Sequence, residues 1–254
     1  MPKTIQFHPG PRISTILLNR PPLNVINIEM MDELNAAWDE IDEMESQVVV
    51  ISGTGDQAFS AGVDVADHVP ERLADMLSKF HRIIRRIFES DRVTIAAIHG
   101  HTLGGGAELA MVCDFVIAAD NTNIGQPEIS LACFPPVAAA YLPRAIGFHR
   151  ASQLVLLGES ISAGEAERIG IVSKVVPKTD LTTCVDDYVD RLLTNSSCAV
   201  ALTKKALREG LDHRFERALE NTERIYLEEL AHTADMREGT QAFLEKRSPS
   251  WKNR

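Results

Sequence analysis

Three short, almost uninterrupted apolar runs constrain this chain more than any other feature: Val48–Ser52 (VVVIS), Val93–Ile98 (VTIAAI) and Phe115–Ala119 (FVIAA). Each is too short for an ordinary helix and rich in β-branched residues, so each reads as a buried strand. Helical spacing fills the intervals. In Ile28–Met44, residues Met31, Leu34, Trp38 and Ile41 share one stripe, and in Pro70–Glu89 so do Leu73, Leu77, Phe80, Ile84, Ile87 and Phe88. Short buried strands alternating with helices predict an α/β fold. Ile13–Leu18 and Ile171–Val176 add strands; Gly104–Cys113, Arg150–Leu157 and Ala163–Arg168 add helices. From Leu181 onward the pattern is helical to the end. The chain therefore divides near Pro177-Lys178 into an α/β core, 1–177, and a helical region, 178–254.

Composition narrows the function classes. With 44% hydrophobic and 24% charged residues in 254, the chain resembles an ordinary globular enzyme. No apolar run approaches the roughly 20 residues of a membrane span, and the N-terminus lacks a signal-peptide core; a cytoplasmic protein is expected. The net charge of −10 opposes nucleic-acid binding. An anionic small molecule could still be held by a local basic cluster or a helix N-terminus. Cys113, Cys133, Cys184 and Cys198 show no CxxC spacing, so no metal site is expected and the thiols read as reduced and mostly buried.

Three segments could carry chemistry. His99–Asp114 (HGHTLGGGAELAMVCD) runs from a buried strand through Gly104-Gly105-Gly106 into a helix. Glycines permit a sharp turn and close ligand approach. The free N–H groups of the helix start could hold a developing oxyanion, with Glu108 in the first helical turn beside them. The bland alternative is a close-packed turn followed by a first-turn acid. The order is neither GxxxxGK[ST] nor GxGxxG. Ala58–Asp64 (AFSAGVD) is a second small-residue turn after a strand, with Asp64 as a good N-cap. Ser60 lacks a GxSxG elbow and is not read as a nucleophile. Ile124–Glu128 (IGQPE) places a second carboxylate, Glu128, in a Gly/Pro-bounded loop. Alone it reads as a solvated acid; its company beside Glu108 raises its interest. His99 and His101 read as a buried strand end and a turn residue.

These segments, with GESISAGEAERIGIVSKVVP, NRPPLNVIN near the start and FLEKRSPSW near the end, resemble the crotonase superfamily of enoyl-CoA hydratases and isomerases over nearly the whole chain. The resemblance implies a crotonase-like α/β spiral of ββα units. Its C-terminal α-helical region would pack against neighbouring subunits in a homotrimer or homohexamer. Carried over by position, the backbone N–H groups of Val63 and Gly105 would form the oxyanion hole for a thioester. Glu108 and Glu128 match the two acids of the hydratases, whereas members that only shift double bonds usually keep just the second. Ala61, Gly62 and Asp64 near the first donor, and Gly104 near the second, would contact substrate. The substrate would be an acyl-CoA, and no cofactor is implied because coenzyme A arrives with it.

One departure narrows this reading. After the second acid, hydratases commonly continue with a glycine-rich segment; here the chain reads Leu131-Ala132-Cys133-Phe134-Pro135-Pro136-Val137-Ala138. This stretch, with VDVADHVPE, IYLEEL and the C-terminal FLEKRSPSWKNR, resembles the cyclohexa-1,5-diene-1-carbonyl-CoA hydratases. Phe134, Pro135 and Pro136 would narrow and stiffen a pocket for a flat ring, with His68 on the same wall. The implied reaction is hydration: Glu108 deprotonates water, and a protonated Glu128 serves the carbon chain. An isomerase or another reaction of the same fold, and a non-catalytic CoA-thioester binder, are the alternatives. Lys246 and Arg247, a basic pair on an acidic chain, are expected at the CoA phosphates. Arg214–Lys246, apolar at Phe215, Leu219, Ile225, Tyr226, Leu230 and Phe243, is expected to bury its face in a homo-oligomer.

Overall fold

The computed structural model describes residues 4–131, 133–211, 228, 229 and 232–253. The three apolar runs form β3 (Val48–Gly53), β5 (Val93–Ile98) and β7 (Phe115–Ala119). With β1 (Ile5–His8), β2 (Ile13–Leu18) and β10 (Lys174–Val176) they make a six-stranded sheet in the order β1-β2-β3-β5-β7-β10. All six residues of β5 are buried. That explains its continuous apolar character: a strand covered on both faces has no solvent side to alternate with. Burying each such Val or Ile contributes roughly 1.5–3 kcal/mol.

Four three-residue strands form a second sheet in the order β4-β6-β8-β9: β4 (Ala58–Ser60), β6 (His101–Leu103), β8 (Asn123–Gly125) and β9 (Ser160–Ser162). Each of β3, β5 and β7 is thus followed by a short strand of the other sheet and then by a helix. β3 and β4 lead to α2 (Pro70–Glu89), and β5 and β6 to α3 (Gly105–Met111). β7 and β8 lead, after a 3-10 turn at Pro127–Leu131, to α4 (Pro136–Ile146). This repeated ββα winding is the expected spiral. His101 lies in β6 rather than in a turn, a correction that follows from its pairing with Asn123.

Helix α1 (Ile28–Asp42) buries Met31, Leu34, Trp38 and Ile41, and the Asn27 side chain caps it by accepting the Met30 N–H at 3.0 Å. α2 begins with Pro at its first position, where no N–H is needed. It buries Met76, Phe80, Ile83 and Ile87.

The residues fall into two compact units, 1–90 with 94–187 and 91–93 with 188–254. The first holds both sheets, α1 to α4, α5 (Phe148–Leu157), α6 (Ala163–Ile169) and the start of α7 (Leu181–Leu193). In the second, the Lys204 ammonium of α8 (Ser197–Leu211) donates to Arg92 O at 2.7 Å, and Trp251 Nε1 donates to Thr194 O at 2.8 Å. Among the described residues the helical pattern from Leu181 breaks at 194–196, and the last helix, Ala234–Glu245, is followed by non-helical residues to 253. Phe215, Leu219, Ile225, Tyr226 and Leu230 lie outside the described residues, as does the side chain of Phe243. Among the described residues no helix is long and apolar enough to cross a membrane. Only Cys113 of the four cysteines is buried; the other three are half-buried, and none is in a disulfide.

Candidate active site

A cavity of about 410 Å³ opens where the ends of β4 and β6, the turn after β8 and helix α2 converge. Ala61, Gly62 and Val63 form one wall, Gly104, Gly105 and Glu108 the next, and Pro127 and Glu128 a third. α2 closes the cavity with Leu73, Met76, Leu77, Phe80 and His81, while Cys133, Phe134, Pro135 and Pro136 form the rim. Residues from 61 to 136 are gathered here because the short strands end together: His101 pairs with both Ala58 and Asn123, so three chain turns leave the sheet side by side.

Two unengaged backbone donors lie close together. In the 61–64 turn, Ala61 N donates to Leu23 O, Gly62 N to Ser60 Oγ and Asp64 N to Ile26 O, at 2.9, 3.2 and 2.9 Å. No hydrogen bond from Val63 N is found among the described residues, nor from Gly105 N at the start of α3, where first-turn amides have no helical partner. They are close: a Cβ built on Gly105 would lie 3.4 Å from Val63 N. The same Cβ would meet Val63 Cγ2 at 2.6 Å, so only glycine fits between the two donors.

Both carboxyls reach this cavity. Glu108 is 3% exposed, and its Oε1 accepts the Ala138 N–H at 2.8 Å. Pro135 and Pro136 start α4 at this point, with Pro136 at a position that needs no N–H. The next free amides of that helix start, Val137 and Ala138, are turned toward the Glu108 carboxylate. Desolvation nonetheless dominates and pushes Glu108 up to about 7; the Ala138 hydrogen bond opposes this, and the charge of Glu128 adds to it. Glu128 sits in the 3-10 turn Pro127–Leu131 and is half-buried. Burial raises its carboxyl too, partly offset by hydrogen bonding and by His68. Its Oε2 is buried with no partner among the described residues. Which acid holds the proton in the resting protein is left open by the sequence; the deeper burial and the larger upward shift fall on Glu108.

A pH effect on stability follows. Below about 4.5 Glu108 is protonated folded and unfolded; above that the unfolded chain releases a proton which the folded chain keeps until about 7. Stability from this group is thus present in acid and lost as pH rises to about 7, on the order of 3 kcal/mol in all. In urea unfolding, Glu108→Gln is expected to gain by about that much on wild type between pH 5 and pH 8; parallel curves would remove the titration from Glu108.

His68 lines the cavity as expected, and so do Ala61, Gly62, Gly104, Phe134, Pro135 and Pro136. Phe134 is 66% exposed and forms the rim rather than the floor. Asp64 is not on the wall: its carboxylate accepts from Arg20 Nη1 at 3.0 Å and from Ala66 N at 3.1 Å, capping the 3-10 turn Val65–Asp67. Arg247 is engaged by Glu238 and Glu245, each at 2.6 Å, and Lys246 is exposed. Sequence reasoning missed His81. It follows Phe80 on α2, lines the cavity, and has an Nε2 buried without a partner among the described residues; burial, then Arg85, holds its pKa below the usual range. A single histidine beside an apolar stripe carries no signal of its own.

The family model described as "Enoyl-CoA hydratase/isomerase" matches residues 10–254. The chain belongs to the enoyl-CoA hydratase/isomerase family. It is 36% identical over 256 residues to the probable enoyl-CoA hydratase echA8 of Mycobacterium bovis, covering 99% of each chain. To the cyclohexa-1,5-dienecarbonyl-CoA hydratase of Thauera aromatica it is 33% identical over 239 residues, 93% of this chain and 92% of that one. The crystal structure of an enoyl-CoA hydratase from Bacillus anthracis superposes with a TM-score of 0.92 at 34% identity, covering 99% of this chain and 100% of that one. The cavity of this family member holds two unengaged backbone amides and two carboxyls that burial raises.

Proposed function

We propose that this protein is an acyl-CoA hydratase that adds water to a double bond conjugated to a thioester, and that its substrate is a cyclic dienoyl-CoA such as cyclohexa-1,5-diene-1-carbonyl-CoA. The observation that carries the hydratase reading is Glu108 and Glu128 lining one cavity together with two unengaged backbone N–H groups. A protein that only binds thioesters needs neither acid.

In the mechanism, Val63 N and Gly105 N receive the thioester oxygen as negative charge develops on it; each such donor is worth about 3–4 kcal/mol in the transition state. Glu108 in its ionised form takes a proton from water as the oxygen bonds to the electrophilic carbon. Glu128 delivers a proton to the carbon that carries the enolate charge. Water is consumed, one C–O and one C–H bond form, and a proton passes back between the acids through solvent. A carboxyl with a pKa near neutral is well matched to this exchange. The steps require no metal or redox group; coenzyme A enters and leaves with the acyl chain. A cytoplasmic homo-oligomer is part of the same proposal.

The ring preference rests on Phe134, Pro135 and Pro136 at the rim and on the likeness to the Thauera enzyme. Steady-state assays with crotonyl-CoA and cyclohexa-1,5-diene-1-carbonyl-CoA side by side test it. The cyclic substrate is expected to give the higher kcat/KM, by at least the roughly 10-fold that one well-fitted hydrophobic contact provides. Equal or better turnover of crotonyl-CoA refutes the ring preference and leaves the hydratase reading standing.

A further inference from the structure

Ser60 ends β4, is fully buried and lies outside the cavity wall, so it cannot touch substrate. Its contacts nevertheless reach both halves of the oxyanion site. Its Oγ accepts the Gly62 N–H at 3.2 Å, which makes it the one side chain that satisfies an amide of the 61–64 turn among the described residues. With the Ala61, Gly62 and Asp64 amides all held, Val63 N is the one amide of the turn with no acceptor among the described residues. On its other side Ser60 meets the start of α3. A Cβ built on Gly106 would lie 2.6 Å from Ser60 Cβ, 2.6 Å from Ser60 O and 2.8 Å from Ser60 Oγ. The helix that carries Gly105 and Glu108 therefore rests directly on this serine.

We propose that Ser60 is a positioning residue for the oxyanion site, setting the orientation of Val63 N through Gly62 and its distance from Gly105 N through Gly106. The inference rests on the oxyanion reading above and gives it a mechanical support. Removing Oγ leaves the buried Gly62 N–H without a partner, a state costly enough that the turn reorients to find one. Val63 N moves with it, because the two amides are successive units of one tight turn. Misplacement of a reacting geometry by about 1 Å costs on the order of 100-fold in rate.

The test uses Ser60→Ala, Ser60→Cys and Gly106→Ala with a chromophoric arylacryloyl-CoA, whose absorption moves to longer wavelength when hydrogen bonds polarise its carbonyl. Wild type is expected to bind the probe with a clear red shift. Ser60→Ala is expected to lose more than half of that shift and about 100-fold in kcat on crotonyl-CoA, with KM changed by less than about 3-fold because the CoA contacts remain. Ser60→Cys, which keeps a weak acceptor, should fall between the two. Gly106→Ala, which pushes α3 off the serine, should reduce the shift independently, so the inference is testable even if Ser60→Ala folds poorly. A Ser60→Ala protein with a lower Tm but a wild-type red shift and kcat overturns the inference alone. Wild type that binds the probe with no shift overturns the oxyanion reading and this inference with it.

Discussion

Replacing Glu108 by Gln is expected to lower kcat by about 10²–10⁴-fold, the usual contribution of a general acid or base. Gln keeps the shape and can still receive the Ala138 N–H through its amide oxygen, so the helix start that holds Glu108 is preserved. What is lost is proton exchange in a group whose burial has placed its pKa at about 7. KM should change little, since in the proposed mechanism the thioester is held by Val63 N and Gly105 N, which the substitution leaves in place. Glu128→Gln should cost a similar factor. The double mutant should lose far less than the product of the two factors, because both carboxyls serve one addition. Measuring kcat for all three on one substrate decides the matter. A Glu108→Gln enzyme that hydrates at nearly the wild-type rate would remove Glu108 as the base and leave Glu128 alone to move the protons; one that keeps a full rate of double-bond isomerisation while wild type hydrates nothing would replace the hydratase reading.

The second large effect is expected at Gly104. This residue has φ +51° and ψ −129°, a conformation that side chains rarely adopt. A Cβ there would lie 2.7 Å from Glu128 Oε1 and 3.3 Å from its Cδ. Gly104→Ala therefore does two things at once. The backbone strain should cost about 1–3 kcal/mol of stability. The added methyl must also displace the Glu128 carboxylate, which can move because it is the end of a flexible side chain. A carboxylate displaced by about an ångström should lose on the order of 100-fold in kcat. Urea unfolding and steady-state kinetics separate the two effects. A variant that loses only stability and keeps its kcat would show that Glu128 acts from another position or does not act at all.

The long strands are legible in the residue order because burial on both faces leaves a signature in every residue. Val48–Gly53, Val93–Ile98 and Phe115–Ala119 match their apolar runs almost to the residue. Helices α1 and α2 are legible for a similar reason, since a stripe repeated over four or five turns is hard to mistake. The second sheet is not. Its strands have three residues each, too few to show a period, and they exist because neighbouring strands offer them a register. Helix α4 is hidden as well. Pro135 and Pro136 suggest a stiff loop, whereas Pro136 opens a helix and Pro143 is tolerated inside it. Asp64 is recognisable as a cap but is also expected against substrate, and its ion pair with Arg20, 44 positions away, decides for the cap.

The sequence by itself determined the α/β class and the glycine turn and singled out Glu108 and Glu128, because buried runs, glycines at turns and first-turn acids are local facts; Val63 and Gly105 as amide donors came from the family resemblance. Only the tertiary structure decided their chemistry. Ala138 reaches Glu108 across 30 positions, Glu128 packs on Gly104, and Ser60 supports Gly62 and Gly106. That both carboxyls are raised, and Glu108 the more, could not be deduced from residue order. Desolvation depends on what the rest of the chain places around a group, and for Glu108 it outweighs the hydrogen bonds that favour the charge.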